Sequence, residues 1–199
     1  MTINNKRRLE LEEIVQNFCS EKGVNMRDDI FKELNKIGFV VHNAKFKRPL
    51  SGMILVNEKA NKLNGFGSNK IIIYNSEQTL YEIRFILAHE LSHYISRKVE
   101  SKGENLLFAA RDHTDRYSDN VDEQEKDYMA AAMLMPRAEL KQDVSDYLKK
   151  TFEQISREDV AHITKDDYFI QALQRKYRVQ EALAVRRIEE ICEECKGVA

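Results

Sequence analysis

The chain of 199 residues is poor in cysteine, proline and glycine, with three, two and seven of each. Three scattered cysteines are too few, and odd in number, for a disulfide scaffold, which points to a reducing cytoplasm. No Pro/Ser-rich linker, internal repeat or low-complexity tract divides the chain. One compact domain, or one with a modest appendage, is the expectation. No apolar run approaches the ~18 residues that a membrane span needs. Met1 to Arg8 is polar and lacks the apolar segment of a signal peptide, so no membrane contact is expected. An excess of one charge is missing too. The 32 Lys+Arg residues balance 33 Asp+Glu, a net charge of −1, which argues against a general nucleic-acid coat or a membrane-surface binder. What is present, 42% hydrophobic and 33% charged residues, suits a globular core under a well-solvated surface. Histidine is scarce at five residues, so the places where it falls are informative.

Leu9, Ile14, Phe18 and Cys19 recur at helical spacing before Gly23, and Asp28 to Lys36 reads as a second helix that Gly38 stops. The period then changes. Phe39 to Val41, Met53 to Val56 and Lys70 to Tyr74 are short β-branched runs separated by Gly, Pro and Asn. They suggest a small antiparallel sheet with turns at Pro49, Gly52, Gly65 and Gly67. Leu80 to Ser96 reads as a long, mostly buried helix and Lys98 to Asn120 as a polar loop. Val121 to Met135 is a further helix that Pro136 stops, and from Arg137 onward the pattern is helical. Helices, then strands, then helices give an α+β class, with a core over 1–136 and a helical C-terminal extension over 137–199.

Two of the five histidines stand in His89-Glu90-Leu91-Ser92-His93, an H-E-x-x-H motif inside the long helix. Positions i and i+4 share a helical face, so both imidazoles can bind one Zn²⁺ at about 2.0–2.1 Å. Glu90 lies one residue round the helix, too far off the pair to be a third ligand. Zn²⁺ makes water nucleophilic near neutral pH, and Glu90 is placed to take its proton as a general base and pass it to the leaving amine. The flanking Phe85 to Ala88 and Tyr94-Ile95 bury the helix, so these imidazoles need partners.

A catalytic zinc takes a third protein ligand and keeps a position open. The helix from Val121 begins with Asp122, Glu123, Glu125 and Asp127 before turning apolar. Steps of four back from Leu134 and Ala130/Ala131 reach Asp127 and then Glu123, so these two continue the buried face. Glu125 points about 200° away from Glu123. Glu123 is thus the expected third ligand, and Asp127 an acceptor that holds a ligating imidazole in one tautomer. Asp122 and Glu125 read as ordinary complements of the helix dipole.

His89-Glu90-Leu91-Ser92-His93, followed some thirty residues later by Glu123 to Pro136 with Ala130-Ala131-Ala132 and Leu134-Met135-Pro136, resembles the ImmA/IrrE family of zinc metallopeptidases. The N-terminal helix pair and the strands at Ser51 to Val56 and Lys70 to Tyr74 fit as well. Lys126 stands where Ala is usual and Met129 where Phe is usual, both at packing positions. The resemblance implies a zincin-like (gluzincin-like) fold and one Zn²⁺ per chain on His89, His93 and Glu123, with Glu90 catalytic. It implies a cytoplasmic endopeptidase whose protein substrate is a helix–turn–helix repressor, cut to relieve repression, in a family common on mobile elements. The alternative is a non-catalytic regulator that binds a repressor or DNA through its C-terminal helices.

Other features are less specific. As an edge strand, Lys70 to Tyr74 would offer a substrate segment extended pairing; as an inner strand it is ordinary core. Tyr74, Tyr94, Tyr117 and His113 are each conceivable oxyanion donors, and His42 and His162 read as structural. The helices around Tyr177-Arg178-Val179 resemble a helix–turn–helix with Arg175, Lys176, Arg178, Arg186 and Arg187 as a basic cluster. A packed helical appendage is the leading reading there and direct DNA contact the lesser one. Cys192-Glu193-Glu194-Cys195 is a lone C-x-x-C with no role assigned.

Overall fold

A computed structural model describes residues 3–46, 50–59, 63, 65–99, 106–112 and 120–193. The chain divides into two units, Met1–Met133 and Leu134–Ala199. The first opens with helices α1 (Asn5–Lys22) and α2 (Ile30–Lys36), followed by strands β1 (Val40–Ala44), β2 (Leu50–Asn57) and β3 (Lys70–Asn75). Helix α3 (Leu80–Val99), strand β4 (Leu106–Asp112) and helix α4 (Val121–Leu134) complete it. The second unit contains α5 (Arg137–Leu148), a 3-10 turn at Phe152–Gln154, α6 (Arg157–Ile163), α7 (Asp167–Tyr177) and α8 (Glu181–Cys192). The α+β class read from the sequence stands.

Local chemistry sets the helix ends. Asn4 accepts from the Arg7 amide to start α1, and Gly23 ends it at φ 62°, in the left-handed region that glycine enters without strain. At α3, Thr79 and Glu82 form a reciprocal box: the Thr79 amide donates to Glu82 Oε2 (2.9 Å) and the Glu82 amide to Thr79 Oγ1 (3.4 Å). Asn120 caps α4 through the Asp122 amide (3.0 Å). These caps hold the first turns of the two helices that carry the H-E-x-x-H motif and Glu123.

The sheet has four strands in the order β1-β3-β2-β4. It is mixed rather than antiparallel: β2 runs antiparallel to both neighbours, but β1 and β3 run parallel, with Val41 opposite Ile72. The β-branched runs mark strands without saying which one sits beside which. β2 crosses to the far side of β3, which leaves β1 next to β3 and pointing the same way. One open alternative is settled and one expectation changes. Lys70 to Tyr74 is an inner strand, paired on both sides, so it offers no free edge. Leu106–Asp112, read as part of a polar loop, is a strand against β2; its short apolar run sits between charged flanks and shows no alternation.

Ile54 and Val56 of β2 and Ile71 and Ile72 of β3 are buried, and α3 lies against these two strands. From Ile86 to Ile95 every residue of α3 is buried, polar ones included. A helix covered all round is a core element, not a surface one. Ile72→Ala, at a fully buried position in the middle of the sheet, is expected to cost about 2–5 kcal/mol of unfolding free energy. Urea titration followed by circular dichroism checks this, and a midpoint unchanged from wild type would contradict it.

Candidate metal centre

His89 and His93 stand one turn apart on α3, and Glu123 reaches them from the first turn of α4. His89 Nε2 lies 3.3 Å from His93 Nε2 and 3.1 Å from Glu123 Oε2, and His93 Nε2 lies 3.7 Å from Glu123 Oε1. One ligand atom from each of the three falls within 4.8 Å of the others. The structure therefore brings together the three residues that the spacing arguments selected. Among the described residues they form the one His/Cys/Asp/Glu group of this kind.

The fourth partner fixes a tautomer. His89 Nδ1 is 2.8 Å from Asp127 Oδ1, and a carboxylate only accepts, so Nδ1 carries the hydrogen and donates it. The lone pair of a neutral His89 is then on Nε2, the nitrogen that faces His93 and Glu123. His93 is buried, and that burial, followed by its neighbour His89, pushes its pKa down to about 4. The Glu123 carboxyl is lowered from its ordinary value, first by a hydrogen bond from His89 when that ring is protonated at Nε2 as well as Nδ1, with burial opposing. Near neutral pH the set offers a neutral imidazole and an ionised carboxylate, the states that metal ligation needs. Two nitrogen donors and one oxygen donor, packed this close with little hydrogen to share, suit a borderline cation such as Zn²⁺.

Glu90 is fully buried. It points under β2, where a methyl group at Gly52 would come 3.2 Å from Glu90 Oε1 and 2.4 Å from Ile86 Cγ2. Gly52 is thus not the turn residue expected from the sequence, but an inner residue of β2 beside a register shift against β4. It lacks a side chain because the backbone passes directly over Ile86 and the Glu90 carboxylate. A single glycine inside a strand pattern is the signal of such an approach.

The remaining candidates fall elsewhere. Tyr74 packs edge-on against Phe31 with 5.9 Å between ring centroids. Tyr94 packs against Phe18 and Phe39, with Lys70 and Lys98 over its ring. Tyr117, His113 and Cys195 lie outside the described residues. His42 meets Phe66 at 5.3 Å, in keeping with a packing role. Asp122 and Glu125 do more than complement a dipole: Asp122 takes the ammonium of buried Lys126 (2.5 Å) and Glu125 takes Arg7. Lys126 and Met129 are both buried without disturbing the donor set, and Ser96 Oγ lies 3.5 Å from Met129 Sδ. In the second unit, Arg187 is fully buried, with Nε donating to the Met135 carbonyl (3.3 Å). Lys176 pairs with Asp143 and Arg186 with Glu190, and Glu181 and Glu189 are exposed on α8. Of the five basic residues named from the sequence, Arg187 is buried, Lys176 and Arg186 pair with carboxylates, and Arg175 and Arg178 are exposed.

A histidine pair and a glutamate on two helices, one of them packed on a mixed sheet, form a group that could hold a metal ion in an α+β protein. The family follows from a wider likeness: residues 46–189 match the peptidase M78 family, described as the IrrE N-terminal-like domain. That is most of the chain, and the protein belongs to this peptidase family. The resemblance to ImmA/IrrE proteins read from the motifs is borne out. No curated protein matches the chain at a significant level.

Two tests follow. Gly52→Ala forces Ile86 or β2 to shift, and is expected to cost about 1–3 kcal/mol by overpacking, read as a lower thermal midpoint; an unchanged midpoint would show that the approach is looser than 2.4 Å implies. The second concerns acid. Unfolded, His93 titrates near its ordinary value of 6.5; folded, it stays neutral down to about 4. The unfolded chain takes up the proton first, so the stability that neutral His93 contributes is full above about pH 6.5 and drains away as pH falls toward 4. The lowered Glu123 acts in the same direction below the ordinary carboxylate range. Chelator-treated protein is expected to melt at falling temperature from pH 7 to pH 4, and His93→Asn to flatten the upper part of that fall. A wild-type midpoint independent of pH over this range would contradict it.

Proposed function

We propose that the protein is a zinc-dependent endopeptidase with one Zn²⁺ per chain held by His89, His93 and Glu123, and that Glu90 is its general base and acid. The observation that carries this reading is the convergence of the three donor atoms, with His89 oriented by Asp127 and Glu90 buried on the same helix. When bound, zinc supplies Lewis acidity, making water acidic and polarising a peptide carbonyl. The chain's own residues do the rest. Asp127 accepts from His89 Nδ1 and so keeps Nε2 available as a donor. Glu90, in a site screened from solvent by β2, receives a proton at its carboxylate when water attacks the carbonyl carbon. It returns that proton to the amine nitrogen as the C–N bond breaks.

The substrate class follows from family membership: peptidases act on protein, and the ImmA/IrrE resemblance points to a helix–turn–helix repressor whose cleavage relieves repression. The dispersal of Arg187, Lys176 and Arg186 among buried and paired positions favours an enzyme over a regulator that reads DNA through α7 and α8. No helix among the described residues is long and apolar enough to cross a membrane.

Glu90→Gln keeps the shape of the site and removes the base. It is expected to retain one zinc per chain and a wild-type thermal midpoint, and to lose cleavage of helix–turn–helix repressors from the same genome by about 10²–10⁴-fold. His93→Ala is expected instead to lose zinc by elemental analysis. Cleavage at the wild-type rate by Glu90→Gln, or a full zinc complement in His93→Ala, would refute the assignment.

A further inference from the structure

Helix α1 and the segment after it precede residues 46–189, the part described by the family pattern, yet they are bonded to both helices that carry the donor set. Toward α4, Arg7 forks onto Glu125: Nε donates to Oε1 and Nη2 to Oε2, each at 2.7 Å. One and a half turns along α1, Glu12 accepts from the Tyr128 hydroxyl at 2.5 Å, and both residues are almost fully buried. The Arg8 guanidinium sits 5.9 Å from the Tyr128 ring centroid. Toward α3, Phe18 meets Tyr94 edge-on at 6.3 Å. Buried Arg84 of α3 donates to the carbonyl oxygens of Met26 (3.2 Å), Arg27 (3.0 Å) and Asp28 (2.8 Å), in the stretch that joins α1 to α2.

We propose that α1 is a brace that sets the spacing and rotation of α3 and α4, and through them the distance of Glu123 from the two histidines. Arg7, Glu12, Glu125 and Tyr128 are positioning residues, and the proposal rests on the zinc reading above. At ~100° per residue, Asp127 lies about 40° from Glu123 round α4, whereas Tyr128 lies about 140° and Glu125 about 200° away. The bonds to α1 therefore grip the back of α4 while Glu123 and Asp127 face α3. A slip of one residue would turn Glu123 by ~100° and move it ~1.5 Å along the axis, whereas ligand distances tolerate about ±0.2 Å. On the site side α4 is held by the Asp127–His89 bond, which depends on the same rotation. A bidentate fork and a buried tyrosine–carboxylate bond, five residues apart on α1 and three apart on α4, fix an orientation as well as a contact.

The test uses the full chain with Zn²⁺ and Co²⁺ as probes. Arg7→Gln, Tyr128→Phe and the double variant are compared with wild type in three measurements: zinc affinity by competition with a chromophoric chelator, the visible spectrum of the cobalt form, and the melting temperature of the chelated protein. Groups that orient metal ligands change affinity by about 10–100-fold when removed. One step further out, each single variant is expected to weaken zinc by about three- to tenfold. The double variant is expected to weaken it further and to alter the cobalt bands, which report coordination geometry. Glu12→Gln, whose amide oxygen still accepts from Tyr128, is expected to stay within about twofold of wild type. A lower melting temperature with unchanged zinc affinity and an unchanged cobalt spectrum would overturn the proposal and leave α1 a purely structural helix. Arg7 is partly exposed, so Arg7→Gln decides the question even if a variant at Tyr128 does not fold. Wild-type protein that binds neither metal would instead refute the zinc reading.

Discussion

A helix with no exposed face between Ile86 and Ile95 must carry two histidines and a glutamate in that same stretch. Burying such groups is costly unless each is hydrogen-bonded or ligated, and much of the first unit is arranged around that requirement. Asp127 takes the Nδ1 hydrogen of His89. Glu123 comes within reach of both Nε2 atoms. Gly52 leaves room for Glu90 beneath β2. Removing any one partner would strand a polar group out of water, so the fold and the chemistry share a single set of contacts.

The electrostatics follow from the same burial. Desolvation lowers His93 and keeps it neutral, while hydrogen bonding from His89 lowers Glu123 and keeps it ionised. Both pKa values are moved down, which leaves a base neutral and an acid ionised at one pH. Around them, charges are paired off rather than left near the ligands: Lys126 with Asp122, Arg7 with Glu125. The second unit treats its basic residues in a similar way, with Arg187 on a backbone carbonyl and Lys176 on Asp143.

The candidate site was the most legible part of the sequence because helical periodicity is short-ranged and strict. The i, i+4 pair on one face and the back-count from Leu134 to Asp127 and Glu123 need no knowledge of tertiary structure, and the donor set lies where they place it. Pairing between strands is a long-range matter, and there the reading was incomplete. The runs at Phe39 to Val41, Met53 to Val56 and Lys70 to Tyr74 marked strands, yet nothing in them ordered β1 beside β3 or made that pair parallel. β4 was hidden because its pairing comes from β2 rather than from its own pattern. Gly52 was taken for a turn because a glycine signals a tight bend and a close approach in the same way. The bonds from Arg7 and Glu12 to α4 join residues more than a hundred positions apart, and no local pattern encodes them.

The central claim is that His89, His93 and Glu123 jointly ligate one zinc ion. X-ray absorption at the zinc edge of the stoichiometrically loaded protein tests it most directly. The account predicts two imidazole nitrogens at about 2.0–2.1 Å and one or two oxygens at about 2.0–2.2 Å, with no sulfur. A first shell made of sulfur, or one without imidazole scattering, would contradict it.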